Sequence, residues 1–338
     1  MTIQHTTRKH ARLSASRAER FINCPGSVQL ENKMPYEPPG EAAAIGTAIH
    51  ELSEAMLRGD DLIQADYPDD HWDMAQGYAN FVNNLCTSPK LKRIEVNVDD
   101  GLQSLHPSLG GTADAVLAEG NTLHVVDLKT GRIPVEAENN LQLMTYAIGA
   151  MRKFKAPADI DVVLHIYQPR TGHSMWQTTG HKLIAHGERL QQAAELSSSN
   201  DAPTNPGESQ CKYCRAKTIC PSLREKVISA AKQEFGIDTT PITGELIETA
   251  KLAEAWAAAV LDAAKQKLDN GGEISGWTLR PGRKTKFWRD EALTIEFFKA
   301  NRDAWDLKSP AALIKAKIDI PDGLVGEKQA APSLVKAK

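Results

Sequence analysis

Residues 111–131 read GTADAVLAEGNTLHVVDLKTG. Two runs of buried-type residues, Gly111–Ala118 and Leu123–Thr130, flank Gly120-Asn121, a dipeptide suited to a two-residue hairpin turn. The turn fixes the register and sets Asp114 directly opposite Asp127, with Cα atoms about 4.5–5.5 Å apart. Side chains alternate along a strand, so Lys129 shares the face of Asp127. Like charges facing each other destabilise a sheet. A hard divalent cation such as Mg²⁺, which takes one or two carboxylates with water and phosphate oxygens, removes that objection. An isolated Asp-x-Lys is far better read as a chance pair on a solvated strand face. Here the buried-type flanks and the second aspartate favour a site.

On the N-terminal side, Ser16 and Glu19 have the spacing of a capping box ahead of a short helix that delivers Cys24. Residues 41–58 place Ile45, Ile49, Leu52 and Met56 at helical spacing, and residues 70–86 read as a second helix. Arg93–Val98 alternates as a strand. Beyond the hairpin, residues 138–154 return to helical spacing with Leu141, Met144, Ile148 and Met151 on one face. Asp161–Gln168 is an apolar strand, Met175–Thr178 pairs back on it, and residues 182–196 are helical. A polar loop then leads to the cysteines. The expected fold is α/β, a small mixed sheet flanked by helices.

The chain has 338 residues, 41% hydrophobic and 25% charged, with a net charge of −3. That length suits two domains. No run of about 18 apolar residues marks a membrane span. The first residues lack the apolar stretch of a secretory signal, so the expected location is cytoplasmic. A net charge near zero neither requires nor excludes nucleic acid, because positive charge can be confined to one groove.

Five cysteines are present. Cys211, Cys214 and Cys220 form a tight trio, and Cys24 stands far away. In a cytoplasmic chain such spacing favours a metal or cluster over disulfides. Four thiolates suit [4Fe-4S] and structural Zn²⁺ equally. Cys86 reads as a small buried residue.

The GTADAV…VVDLKTG pair resembles the PD-(D/E)XK nuclease superfamily, and within it the RecB-like branch. There a helix histidine precedes the hairpin and a Q-x-x-x-Y helix follows. His50 stands in GTAIHEL, and Gln142 and Tyr146 in LQLMTY. The resemblance implies a restriction-endonuclease-like core in which His50, Asp114 and Asp127, with the Leu128 carbonyl, hold Mg²⁺ or Mn²⁺. Lys129 would orient the attacking water and offset charge building on the phosphate, and Gln142 and Tyr146 would shape the site or contact DNA. Glu95 would be a further ligand, as in members with an acid on the first core strand, or else a solvated strand glutamate. The cysteines and the prolines following Cys24 and Cys220 resemble the iron–sulfur branch of AddB-type and CRISPR-adaptation-type nucleases. That implies a structural [4Fe-4S] cluster on Cys24, Cys211, Cys214 and Cys220.

Residues 1–230 are therefore expected to form the nuclease domain. A mainly helical accessory region follows over 231–325, with 326–338 as a disordered tail. Leu246, Leu252, Trp256, Val260 and Leu261 read as the core side of a helix over 245–268. WTLRPGRKTKFWR, residues 277–289, reads as a hairpin around Pro281-Gly282. Its Arg280, Arg283, Lys284, Lys286 and Trp288 are candidates for binding phosphates and stacking bases, or for an ordinary charged rim. The whole chain resembles an uncharacterised family of phage and prophage nucleases. The functional expectation is a DNA exonuclease in recombination or end processing, working with a single-strand annealing or binding protein. The alternatives are an endonuclease, a catalytically silent or partner-gated nucleic-acid-binding scaffold, and a zinc-stabilised structural protein.

Overall fold

In the computed structural model, the hairpin lies at the centre of a five-stranded mixed sheet. The structure describes residues 11–36, 38–231, 243–301 and 309–336. The strands are β1 (Leu91–Asn97), β2 (Thr112–Glu119), β3 (Thr122–Leu128), β4 (Asp161–Gln168) and β5 (Gly172–Thr179), in that order across the sheet. Only β3 and β4 run parallel. A parallel pair needs a crossover, here helix α3 (Leu141–Lys153), started by an Asn140 side chain that accepts from the Leu143 N–H.

Alternation along β3 sends Leu123 and Val125 to one face and Val126 and Leu128 to the other. The first face is covered by α3 and by α4 (Gly180–Ser198), through Leu143, Ala147, Ile148, Leu183 and Leu190. The second is covered by α1 (Glu41–Arg58) and α2 (Asp69–Asn84), through Ile49, Leu52, Tyr78 and Val82. Cys86 is buried with this second set, as expected. Among the described residues, no helix is long and apolar enough to cross a membrane.

The hairpin register is the expected one from Glu119↔Thr122 to Ala115↔Val126, with Gly120 at φ 60. The ladder stops there, however, so Asp114 is not paired across from Asp127. The reason lies in the neighbouring strand. Glu95 adopts φ 50, a left-handed conformation that side chains disfavour. β1 and β2 pair on both sides of it, at Ile94↔Ala115 and Val96↔Ala113, but not at Glu95 itself. Ile94 and Ala115 belong to the α1/α2 side, while Val96 and Ala113 belong to the α3/α4 side. The alternation of both strands therefore slips at Glu95 and Asp114, and these two carboxylates sit where the sheet changes phase.

The N-terminal segment differs from the expected capping box. Ala15–Arg17 is a 3-10 turn leading into a helix over Ala18–Asn23, and the Ser16 hydroxyl bonds to Ser14 rather than capping.

The chain divides into two compact units, Met1–Ala253 and Glu254–Lys338, later than the boundary expected near residue 230. In the helix Gly244–Asp269, Leu252 is buried but Val260 and Leu261 are exposed, so the expected core face is only partly realised. In the second unit Trp277–Arg280 and Lys284–Trp288 are strands, but they do not form a hairpin with each other. The first pairs with Ser333–Lys336 and the second with Val325–Gln329. The stretch read as a disordered tail therefore supplies two strands. Residues 337–338 lie outside the described residues. Phe297, Leu313 and Leu324 form this unit's small core.

Candidate active site

The expected catalytic side chains arrive from four elements. β2 and β3 bring Asp114, Asp127 and Lys129, α1 brings His50, and α3 brings Gln142 and Tyr146 on one helical face. Asp127 is 2% exposed. Lys129 Nζ lies 2.7 Å from Asp127 Oδ2, close enough for an ion pair. That oxygen nevertheless has no donor aligned for a hydrogen bond. Asp127 Oδ1 accepts from Gln142 Nε2 at 3.1 Å. The same amide nitrogen donates to Tyr146 OH at 3.0 Å, and Gln142 Oε1 accepts from Lys129 Nζ at 3.1 Å. Gln142 thus ties the acid, the ammonium and the phenol into one network.

Asp114 bridges to the opposite side of the sheet. Its Oδ1 lies 3.4 Å from His50 Nδ1, and its Oδ2 accepts from the Leu128 N–H at 2.7 Å. Leu128 therefore acts on the site through its N–H, a contact that the carbonyl-ligand reading did not contain. Ligand atoms of His50, Glu95 and Asp114 all lie within 4.8 Å of one another, the one such group of His, Cys, Asp or Glu among the described residues. The slip at Glu95 is what brings the third ligand in.

The two aspartates are driven in opposite directions. Burial pushes the Asp127 carboxyl up against the pull of Lys129, and the charge of Asp114 adds to the rise. Burial also opposes ionisation of Asp114, but His50, the Leu128 N–H and Lys129 outweigh it and hold that carboxyl below the usual range. His50 is raised to about 9, because Asp114 and Asp127 overcome the cost of its burial. The Tyr146 phenol is pushed up by burial and by both aspartates, so it stays protonated. Carboxyls whose environments split them apart are a mark of acid–base sites.

Sequence reasoning missed Tyr78. Its hydroxyl is buried without a hydrogen-bond partner. Its ionisation is suppressed by burial and then by Asp114, Asp127 and Glu95, which places it beside the carboxylates. In sequence it is one more apolar-periodic position of α2, and nothing there distinguishes it. The second omission is a histidine ladder on the same side of the sheet. His124 Nδ1 meets His165 Nε2, and His165 Nδ1 meets His173 Nε2, each at 3.1 Å. The rings stack at 5.3 Å centroid spacing, with Phe81 against the last two.

Cys24, Cys211, Cys214 and Cys220 line one cavity with Ser27, Leu30, Pro206, Gln210, Lys217 and Leu223. The thiols do not draw into a tight single-ion set. Burial pushes the thiols of Cys24 and Cys211 up, and burial followed by the charge of Glu31 pushes Cys214 to about 11. The Asn205 N–H donates to Cys24 Sγ at 3.2 Å. In the second unit, Lys284 and Lys286 face Glu327 at 3.7 and 3.8 Å, and Trp288 packs on Phe297 and Phe298. Arg280 and Arg283 are exposed. Trp288 is therefore an anchor of that unit's core rather than a free stacking face.

Residues 10–316 match the model of a family described as "Protein of unknown function (DUF2800)". The chain belongs to this family. Among solved structures it is similar to one described as "Crystal structure of SSO0001", at 15% identity and a TM-score of 0.31. That match covers 62% of this chain and 85% of the other.

Proposed function

We propose that the protein is a metal-dependent deoxyribonuclease of the PD-(D/E)XK, RecB-like type, acting as an exonuclease on DNA ends. The observation that carries this reading is the network joining Asp114, Asp127, Lys129, Gln142 and His50 around a phase slip that adds Glu95. The residues fit a hard cation: ligand atoms of His50 and Glu95 converge with that of Asp114, and Asp127 Oδ2 is buried without an aligned donor. Mg²⁺ or Mn²⁺ held by Asp114 and Asp127 with His50 and Glu95 would supply Lewis acidity and a more acidic water. Lys129 keeps N–H groups beyond its bond to Gln142, and these can hold a water or a phosphoryl oxygen. Gln142 fixes the ammonium against Asp127, and protonated Tyr146 holds the Gln142 amide in place. Hydrolysis forms a bond from water oxygen to phosphorus and breaks one phosphorus–oxygen ester bond. The departing oxygen takes up a proton.

The four cysteines fit a structural cluster. Tetrahedral Zn²⁺ would draw its thiolates to about 3.8 Å from one another, from Zn–S bonds of about 2.3 Å. Four thiolates lining one cavity equally suit a [4Fe-4S] cluster, which the resemblance to the iron–sulfur nucleases favours, and an N–H on Cys24 Sγ suits an anionic thiolate. The proposed setting is phage or prophage recombination in the cytoplasm, with a single-strand annealing or binding protein as partner.

The test is digestion of end-labelled linear and closed-circular DNA by anaerobically purified protein, with Mg²⁺ or Mn²⁺. Wild type should be brown, degrade the linear DNA and spare the circle. Asp127→Ala and Lys129→Ala should each lose roughly 100-fold or more, the scale of removing a transition-state contact. Cleavage of circles would make it an endonuclease. A folded, inactive wild type would sink the catalytic reading in favour of a scaffold, and a colourless zinc protein would overturn the cluster.

A further inference from the structure

Beside the cysteine cavity lies a second hollow, lined by Arg12, Arg17, Arg20, Ser27, Glu31 and Asn32 among others. Its charges are unbalanced. Glu31 is its only carboxylate, and it is already taken by Arg20 and by the Arg215 N–H. Among the described residues, Arg12 bonds only to the neutral amide of Gln29, at 3.3 Å. Arg17 has no hydrogen-bond or ion-pair partner among the described residues and is exposed. Ser27 is 2% exposed, yet its hydroxyl has no hydrogen-bond partner. Among the described residues, two guanidinium groups without a carboxylate partner thus share the hollow with a buried, unsatisfied hydroxyl, a set suited to an oxyanion, since arginine's fork matches phosphate and a serine hydroxyl donates to it.

The hollow is joined to the catalytic strand. Leu13 and Ser14 pair in parallel with Leu109 and Gly110. At the next residue the approach is so close that a Cβ on Gly111 would fall 3.0 Å from Ala15 Cβ and 2.9 Å from Tyr146 Cε1. Gly111 stands three residues before Asp114, and Tyr146 holds Gln142. The arginines flank Ala15 on the same segment.

We propose that Arg12 and Arg17, with Arg20 and Ser27, hold a phosphate of the nucleic-acid strand whose scissile bond lies at Asp127 and Lys129. The identity of the strand rests on the nuclease reading. The phosphate is either an internal diester or the terminal group of a strand end.

The test measures binding of a short labelled single-stranded DNA to the full chain, without divalent metal, across a salt series. Compared with wild type, Arg12→Gln/Arg17→Gln should lower the log–log salt slope by about 1.4, two contacts at about 0.7 each. Extrapolated from 1 M, that is roughly 25-fold weaker binding at 0.1 M salt. Both arginines are exposed, so the fold should survive. Lys265→Gln/Lys267→Gln removes the same charge from exposed positions in the second unit. An equal loss there, or no loss at the arginines, overturns the proposal. Oligonucleotides with and without a 5′-phosphate, and competition by inorganic phosphate, separate a terminal from an internal phosphate. Cleavage by wild type with arginine-independent binding sinks this inference alone. Arginine-dependent binding without cleavage sustains the phosphate site but sinks the nuclease reading and the scissile placement with it, and neither binding nor cleavage sinks both.

Discussion

Acidification should destabilise this protein through the histidine ladder. His165 is the middle ring, 3% exposed, with both nitrogens engaged by neighbouring imidazoles. Burial pushes its pKa down to about 3, and the nearby His124 and His173 push the same way. Its flanking partners are themselves lowered by burial. The apolar neighbour Phe81 offers no counter-charge. Unfolding frees the imidazole to titrate near its ordinary value of about 6.5. Below that value the unfolded chain takes up a proton that the folded chain refuses, so stability is full above about pH 6.5 and falls as the pH drops toward 3. Between about pH 7.5 and pH 5 the loss from His165 alone is about 2 kcal/mol. Urea unfolding at those two pH values, for wild type and His165→Phe, reads this directly. Phenylalanine keeps the stack but cannot titrate. The variant should start less stable for want of two hydrogen bonds, yet its acid loss should be smaller than wild type's by about 2 kcal/mol. Carboxylates and His186 titrate in both proteins and cancel. Equal acid losses would refute the claim that the ladder's centre is held neutral.

Two further substitutions test the packing that holds the sites. Glu31→Ala leaves Arg20 and the Arg215 N–H without their shared carboxylate, and should cost about 3–5 kcal/mol in chemical denaturation, the scale for a broken buried pair. A neutral outcome would mean the pair is not what binds residues 27–31 to the third cysteine. Gly101→Ala places a Cβ 2.0 Å from the Gly149 carbonyl oxygen of α3. The short helix Asp99–Gln103 must then move, at about 1–3 kcal/mol, and an unchanged melting temperature would show that the two helices are not in such close contact.

The hairpin was legible because Gly120-Asn121 leaves few other registers, and α3 because Asn140 and the apolar spacing agree. His50, Gln142 and Tyr146 stood out only through motif order, since a single helix position carries no signal of its own, and the fold does bring them to the two aspartates. The slip at Glu95 was not legible: a glutamate in a left-handed conformation looks, in sequence, like any alternating strand residue. Tyr78 hid within an apolar face for the same reason. The histidine ladder joins residues 41 apart and then 8 apart in the chain, and only the strand order brings them together. In the second unit both strands around Pro281 were visible, but their partners lie near the chain's end. Short, exposed strands carry no pattern that specifies a partner.

The arm that carries Cys24 and the arginines docks on chain made much later. The Gly26 N–H bonds to the Pro203 carbonyl, Gln29 to the Ser197 carbonyl, and Glu31 to the Arg215 N–H, across as many as 184 residues. At about 5–20 residues per second, a ribosome takes roughly 10–40 s to make that intervening chain. All five strands of the central sheet, and with them Asp114, Asp127 and Lys129, leave the ribosome within that interval. Leu13 and Ser14 can pair with Leu109 and Gly110 earlier, but the contacts of Gly26, Gln29 and Glu31 must wait for residues 197 and beyond. Until then residues 26–31 lack the partners that hold them against the later chain, although the strands that bring Asp114 and Asp127 are already made.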